Sequence, residues 1–247
     1  MKRAKKMKFM PFWIAGYPTI KDSITSMNLL LNYCDVLEIG IPFSDPIADG
    51  DLIQNANNVA IKSGFTTDDL FFCLENLLNP KNKPIIILCY LNTILQYGVG
   101  KFFQKLSILK ISGIVIPDLP PEEVDILENF NKIYSVNISY TISTNTSPER
   151  IKYIDEISNS FIYFISKPAI TGVNNNLLDQ STIDKISEIK DIAKNEIYIG
   201  FGISNKSHIK QLLDTDIDGF IVGSKLIASQ SPTELQNLLE GFAGSVK

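Results

Sequence analysis

Residues 84–90, Pro84 to Tyr90, read PIIILCY and are nearly all apolar. A strand with one wet face alternates apolar and polar residues. A continuous apolar run is expected of a strand buried on both faces, as in a parallel sheet covered by helices. The same cadence extends upstream. Lys8 to Gly16 (KFMPFWIAG) reads as a first strand, and Ile20 to Asn32 carries apolar residues at helical spacing. Cys34 to Gly40 is a second strand, and Asp51 to Ser63 and Thr66 to Leu78 are helical by period, with Thr66 as a cap.

Downstream, Val99 to Lys110 is a helix and Gly113 to Ile116 a strand. Pro121 to Lys132 opens with proline and then acids, a favourable helix start. Ser135 to Ile142 is a strand, and Ser147-Pro148-Glu149 opens a helix that runs to Ile157. Phe161 to Ile165, Glu196 to Gly200 and Asp218 to Val222 read as strands, with helices over Ser181 to Lys194, Asn205 to Leu213 and Pro232 to Phe242. Strands and helices alternating at about 30 residues per unit predict parallel strands joined by right-handed crossovers. Eight such units in 247 residues fit a single α/β domain, a (β/α)8 TIM barrel spanning residues 1–247. A doubly wound open sheet is the alternative, but no G-x-G-x-x-G follows the first strand. Neither a linker nor a low-complexity segment interrupts the chain.

Composition narrows the function. The net charge is -4, with no basic stripe, so a nucleic-acid partner is not expected. No run of 18 apolar residues predicts a membrane span. Residues 1–8, MKRAKKMK, are basic, lack an apolar segment long enough for a secretory signal, and read as a solvated tail. Cys34, Cys73 and Cys89 lie far apart and form no C-x-x-C, which suggests reduced core residues in a reducing compartment. His208 is the only histidine, expected on the surface of the helix after the seventh strand. One histidine argues against a His-ligated metal site and a Ser-His-Asp triad, so no metal is expected. Acid–base chemistry then falls to carboxylates, tyrosine or lysine.

In a barrel the loops after the strands converge on one face, and four of them are unusual. The second strand runs into Glu38 to Gly50, EIGIPFSDPIADG. Glu38 sits among Val36, Leu37, Ile39 and Ile41, where an unpaired charge costs several kcal/mol. Either a Lys or Arg pairs with it, or desolvation raises its pKa toward the range useful for proton transfer. Asp45, Asp49 and Asp51 follow within seven residues. Asp45 and Asp49 either cap the next helix or face different ways, Asp45 toward a partner and Asp49 into the pocket. The segment from Ser166 to Gln180, with Ile170-Thr171-Gly172, is long enough for a lid, though an Asn-rich surface excursion reads the same way. Last, GFGIS (Gly200 to Ser204) and VGS (Val222 to Ser224) follow the seventh and eighth strands, where backbone N–H groups commonly hold a phosphate.

Together these residues resemble the tryptophan synthase alpha-subunit family from Pro11 to about Phe242, most specifically in IGIPFSDPIADG, with GFGIS and the terminal GS in support. The resemblance implies a barrel that cleaves indole-3-glycerol phosphate into indole and glyceraldehyde 3-phosphate. It implies no cofactor in this chain, and a partner beta subunit that carries pyridoxal phosphate in an αββα heterotetramer. Glu38 then matches the acid–base carboxylate, Asp49 the carboxylate facing the indole N–H, and Tyr163 a tyrosine near the reacting centre. Gly172, Gly202, Gly223 and Ser224 match phosphate-holding positions. Phe12, Ile53, Leu88 and Tyr90 match the lining of the indole slot. Pro42, Phe43 and Asp45 match the partner-facing loop, and Thr171 the lid residue that closes on Asp49. Asp51 departs from a more usual proline, and Lys167-Pro168-Ala169 from a more usual Arg-Ala-Gly, which stiffens the hinge. The expected location is the cytoplasm, or a plastid stroma. The alternatives are a non-catalytic activator of a beta subunit, a stand-alone indole-glycerol phosphate lyase, and another phosphosugar barrel.

Overall fold

The computed structural model describes residues 7–166, 178–200 and 202–246. Its strands are short and buried on both faces, as the apolar runs require. They are β1 (Lys8–Ile14), β2 (Leu37–Gly40), β3 (Ile85–Leu88), β4 (Gly113–Val115), β5 (Asn137–Ser139), β6 (Thr141–Ser143), β7 (Ile162–Ile165), β8 (Ile197–Gly200) and β9 (Gly219–Val222). All pairings between them are parallel, in the order β5-β4-β3-β2-β1-β9-β8-β7-β6.

β5 and β6 are two pieces of the one strand expected over Ser135 to Ile142. That strand breaks at Tyr140: its first piece pairs with β4 and its second with β7. Tyr163 N–H donates to Tyr140 O at 2.9 Å across the join. The sheet therefore curls into an almost closed barrel in which the fifth strand changes partner midway.

Register fixes what the barrel holds. Phe12 lies opposite Glu38, Glu38 opposite Ile86, and Gly40 opposite Leu88. Leu88 lies opposite Val115, Val115 opposite Ser139, Thr141 opposite Tyr163, and Tyr163 opposite Tyr198. Registered residues of parallel strands share a face, and side chains alternate along each strand. Glu38 thus projects to the interior face with Phe12 and Tyr163, while Leu37 and Ile39 point out to the helices.

The outer layer comprises α1 (Ile20–Tyr33), α2 (Asp51–Lys62), α3 (Thr67–Glu75), α4 (Leu91–Tyr97), α5 (Val99–Ile108), α6 (Asp125–Tyr134), α7 (Pro148–Ile157), α8 (Gln180–Ile192), α9 (Lys206–Leu213), α10 (Ser224–Ile227) and α11 (Pro232–Ala243). Local signals start many of them. Thr66 and Asp69 form a reciprocal capping box on α3, Ser147 caps α7 ahead of Pro148, and Asn205 caps α9. Among the described residues no helix is long and apolar enough to cross a membrane.

Four expectations change. Met7 is buried and Lys8 begins β1, with its Nζ 2.7 Å from Glu196, so neither belongs to a solvated tail; residues 1–6 lie outside the described residues. His208 is buried: its Nδ1 lies 3.1 Å from Gly202 O and 3.3 Å from Ser204 N, and its Nε2 lies 3.2 Å from Asn205 Nδ2. The helix expected from Pro121 opens as a 3-10 turn, Pro121–Glu123, before α6 begins at Asp125. Finally, α4 and α10 are additional helices. The start of α4 is capped from a distance, by Asp118 Oδ1 accepting from Leu91 N–H at 2.9 Å. The three cysteines are free and buried in the core.

Candidate active site

The strand ends and the loops beyond them enclose a cavity of about 470 Å³. Its wall includes Phe12 from β1, Leu88 from β3, Val115 from β4, Thr141 from β6, Tyr163 from β7 and Ile221 from β9. Asp49 and Ile53 close it on the β2 side, and Gly202, Gly223 and Ser224 on the side of the turns after β8 and β9. Eight of the candidate residues therefore meet around one space: Phe12, Asp49, Ile53, Leu88, Tyr163, Gly202, Gly223 and Ser224.

Glu38 lies fully buried within the barrel, and neither of its carboxylate oxygens has a hydrogen-bond partner. Among the described residues no cation pairs with it. Desolvation first, and the charge of Asp49 second, push its carboxyl from an ordinary 4.5 up to about 8. Asp49 is half-buried. Burial raises it from 3.8 to about 6, opposed by a hydrogen bond that Asn57 Nδ2 donates to its Oδ2 at 3.4 Å. Tyr163 is raised well above 10 by burial, then by the charges of Glu38 and Asp49. The charge of Asp49 thus reaches both Glu38 and Tyr163. Near neutral pH the arrangement holds a protonated carboxyl beside an ionised one, the division of labour that acid–base chemistry needs.

The loop between β2 and α2 separates its acids. Asp45 is exposed and bonded by Ser44 Oγ at 2.5 Å, while Asp49 faces the cavity. Neither caps α2, whose N-cap is Gly50 without a side-chain bond. Phe43 is half-buried and stacks on Tyr90 with ring centroids 4.6 Å apart; Pro42 is also half-buried, and Ile47 next to Pro46 is 82% exposed. Tyr90 is itself buried, and its hydroxyl accepts from Ala48 N–H at 3.1 Å. The structure thus places Tyr90 under the loop as a prop, and it does not line the cavity. Thr171 and Gly172, with the rest of residues 167–177, lie outside the described residues.

Aromatic rings fill the barrel by lying over glycines. A Cβ on Gly200 would sit 2.6 Å from the Tyr163 ring and hydroxyl, one on Gly40 2.7 Å from Phe12, and one on Gly223 2.9 Å from Phe12. Three further residues matter that the sequence reading passed over. Lys225, after Ser224, is the one cation among the described lining residues. Ser204 lines the same wall, and Asn57 holds Asp49. A basic residue directly after the VGS turn, and an Asn on the apolar face of a helix, were the available signals. Among the described residues no three His, Cys, Asp or Glu side chains group in a way that holds a metal ion.

The chain and its fold have counterparts among known proteins. A family model described as "Tryptophan synthase alpha chain" matches residues 1–240. The tryptophan synthase alpha chain of Methanothermobacter thermautotrophicus is 35% identical over 227 residues, covering 92% of this chain and 84% of the relative. That of Flavobacterium johnsoniae is 37% identical over 244 residues, covering 96% and 93%. The solved tryptophan synthase alpha-subunit of Pyrococcus furiosus superposes with a TM-score of 0.88 at 28% identity, over 97% of this chain and 99% of that one. A tryptophan synthase structure from M. tuberculosis, 24% identical with a TM-score of 0.89 over 99% and 94%, shares the fold. With the match running through nearly the whole barrel, the chain belongs to the tryptophan synthase alpha chain family.

Proposed function

We propose that this lyase cleaves indole-3-glycerol phosphate to indole and glyceraldehyde 3-phosphate by a retro-aldol step, with Glu38 as the acid–base group and Asp49 as its electrostatic partner. One observation carries the reading: Glu38 is a fully buried carboxyl without a hydrogen-bond partner among the described residues, held beside Asp49 in the barrel. A structural acid in that position is normally paired; an unpaired one is a candidate functional group.

The chemistry needs a proton delivered to carbon 3 of the indole ring and another removed from the hydroxyl on the adjoining side-chain carbon. The bond between those carbons then breaks, its electron pair returning to the ring as the hydroxyl becomes the aldehyde. Glu38, protonated near neutral pH, gives the first proton, and its carboxylate takes up the second. Asp49, ionised, accepts the indole N–H and stabilises the positive charge that ring protonation creates. The apolar wall of Phe12, Ile53 and Leu88 suits the ring. The turns at Gly202 and at Gly223-Ser224, with Lys225, suit the phosphate, whose binding positions the scissile bond.

In this reading the chain needs no cofactor of its own. Pyridoxal phosphate belongs to a tryptophan synthase beta subunit, bound in an αββα heterotetramer through the side of the loop bearing Asp45 and Ile47. The complex acts in the cytoplasm or in a plastid stroma. The test is indole release from indole-3-glycerol phosphate by the protein alone and with a beta subunit added. Slow release that rises strongly with the beta subunit, and that Glu38→Gln abolishes, is the expected result. Indole release unaffected by Glu38→Gln overturns the assignment of Glu38. No release in either condition, with the beta subunit still activated, leaves only a binding role.

A further inference from the structure

We propose that Asn57 is a positioning residue that orients the Asp49 carboxylate and ties it to the outward-facing start of its loop at Phe43. The proposal rests on the catalytic reading of Asp49 given above. Asn57 sits within α2 and is 1% exposed, on the face that also presents Ile53 and Ala56 to the barrel. Asparagine is a poor choice for a helix interior, and a buried amide is costly unless bonded. Here its capacity is spent in three directions. Nδ2 donates to Ile53 O at 3.0 Å and to Asp49 Oδ2 at 3.4 Å, while Oδ1 accepts from Phe43 N–H at 3.1 Å. One side chain therefore reaches both ends of the loop.

Among the described residues, Asn57 supplies the hydrogen bond to the Asp49 carboxylate. The Asp49 backbone is held by its N–H donating to Pro46 O at 3.0 Å and by Gln54 Nε2 donating to Asp49 O at 2.8 Å. Those two bonds fix the main chain and leave the side chain free to turn. Among the described residues the other titratable groups near Asp49 are Glu38 on β2, Tyr163 on β7 and Tyr90 ahead of α4, each raised in part by its charge, with Asp51 two residues on in the first turn of α2. Lys225 on α10 is the one cation among the described residues lining the same cavity. A donor aimed at Asp49 Oδ2 stabilises the ionised form and fixes which oxygen faces the pocket. The bond to Phe43 N–H makes that donor sensitive to displacement of the loop's outer half.

The experiment compares Asn57→Ala with Asn57→Asp. The aspartate keeps an acceptor for Phe43 N–H and replaces the donor with a second charge, separating loop anchoring from the contact with Asp49. The Asp49 carboxyl is titrated directly by carbon-13 NMR in the protein alone, its resonance identified by its absence in Asp49→Asn. The expected result is an upward shift of the Asp49 midpoint in both variants, larger in Asn57→Asp, with proton affinity raised about tenfold or more. The acid limb of the kcat profile moves the same way while KM changes little, because Asn57 does not line the cavity. An unmoved midpoint, even with lower stability, overturns the proposal, as does loss of folding in both variants, which makes Asn57 purely structural. The NMR measurement needs no turnover, so its failure is distinguishable from failure of the catalytic reading.

Discussion

Replacing Glu38 by glutamine should stabilise this protein, and by an amount that depends on pH. The glutamine amide has nearly the shape of the carboxyl but cannot ionise. In the unfolded chain Glu38 ionises near 4.5; in the fold, burial and the charge of Asp49 hold it at about 8. The folded state therefore binds this proton more tightly than the unfolded state does. By linkage, a raised carboxyl lowers stability progressively as pH climbs through the interval between the two values. At about 1.4 kcal/mol per pH unit, the penalty is about 1 kcal/mol at pH 5, about 3 at pH 7, and approaches about 5 above pH 8. Glu38→Gln removes the titrating group, so its gain over the parent should grow along the same curve. The assay is urea denaturation of parent and variant at several pH values from 5 to 8.5, with the slope on urea checked for constancy. A difference in stability that is flat across that range would refute the reasoning, because it would mean that Glu38 does not titrate abnormally in the fold. The same substitution should abolish indole release, so one residue separates stability from activity in opposite directions.

Turnover should be bell-shaped in pH, rising as Asp49 ionises near 6 and falling as Glu38 loses its proton near 8; a profile flat from pH 5 to 9 would contradict both assignments. Asp49→Asn should remove the acid limb and lower kcat by roughly 100-fold, with circular dichroism unchanged, since Asp49 does not cap α2. Lys225→Ala should raise KM severalfold, an effect that fades at high salt; a KM unchanged at low ionic strength would show that this cation does not meet the phosphate. Tyr90→Phe keeps the ring stacked under Phe43 but removes the acceptor for Ala48 N–H, so Ala48 should exchange faster with a local loss of about 1 kcal/mol.

The barrel was legible because its strands announce themselves. PIIILCY reads as a strand buried on both faces, and the Thr66–Asp69 and Ser147–Pro148 starts encode their helices within a few residues. What escaped the sequence depends on distant partners. α4 begins where Asp118 supplies the cap, and nothing within LNTILQY records that. The fifth strand breaks at Tyr140 because its two ends meet different neighbours. His208 is buried because the turn after β8 bends back onto its ring. At the site, the apolar company of Glu38 foretold its burial. The posts of Tyr90 and Asn57 depend on how the 42–50 loop folds over them. Tyr90 ends an apolar run, and Asn57 interrupts an apolar helix face, so neither position announces a hydrogen bond to a loop.

The rings that lie over glycines constrain how this pocket can evolve. Because Gly200 has no room for a methyl group while Tyr163 is present, and Gly40 and Gly223 have none beside Phe12, the shape of the slot is written in pairs. Enlarging a glycine first forces a clash, and shrinking its ring first leaves a void, so both orders pass through a less stable intermediate. A lineage drifting toward a bulkier or smaller ligand must cross that valley on surplus stability gained elsewhere in the barrel. The slot should therefore change in correlated steps, Gly200 with Tyr163, Gly223 with Phe12, and Gly40 with both Phe12 and Ile14, while the apolar shell between strands and helices drifts one residue at a time.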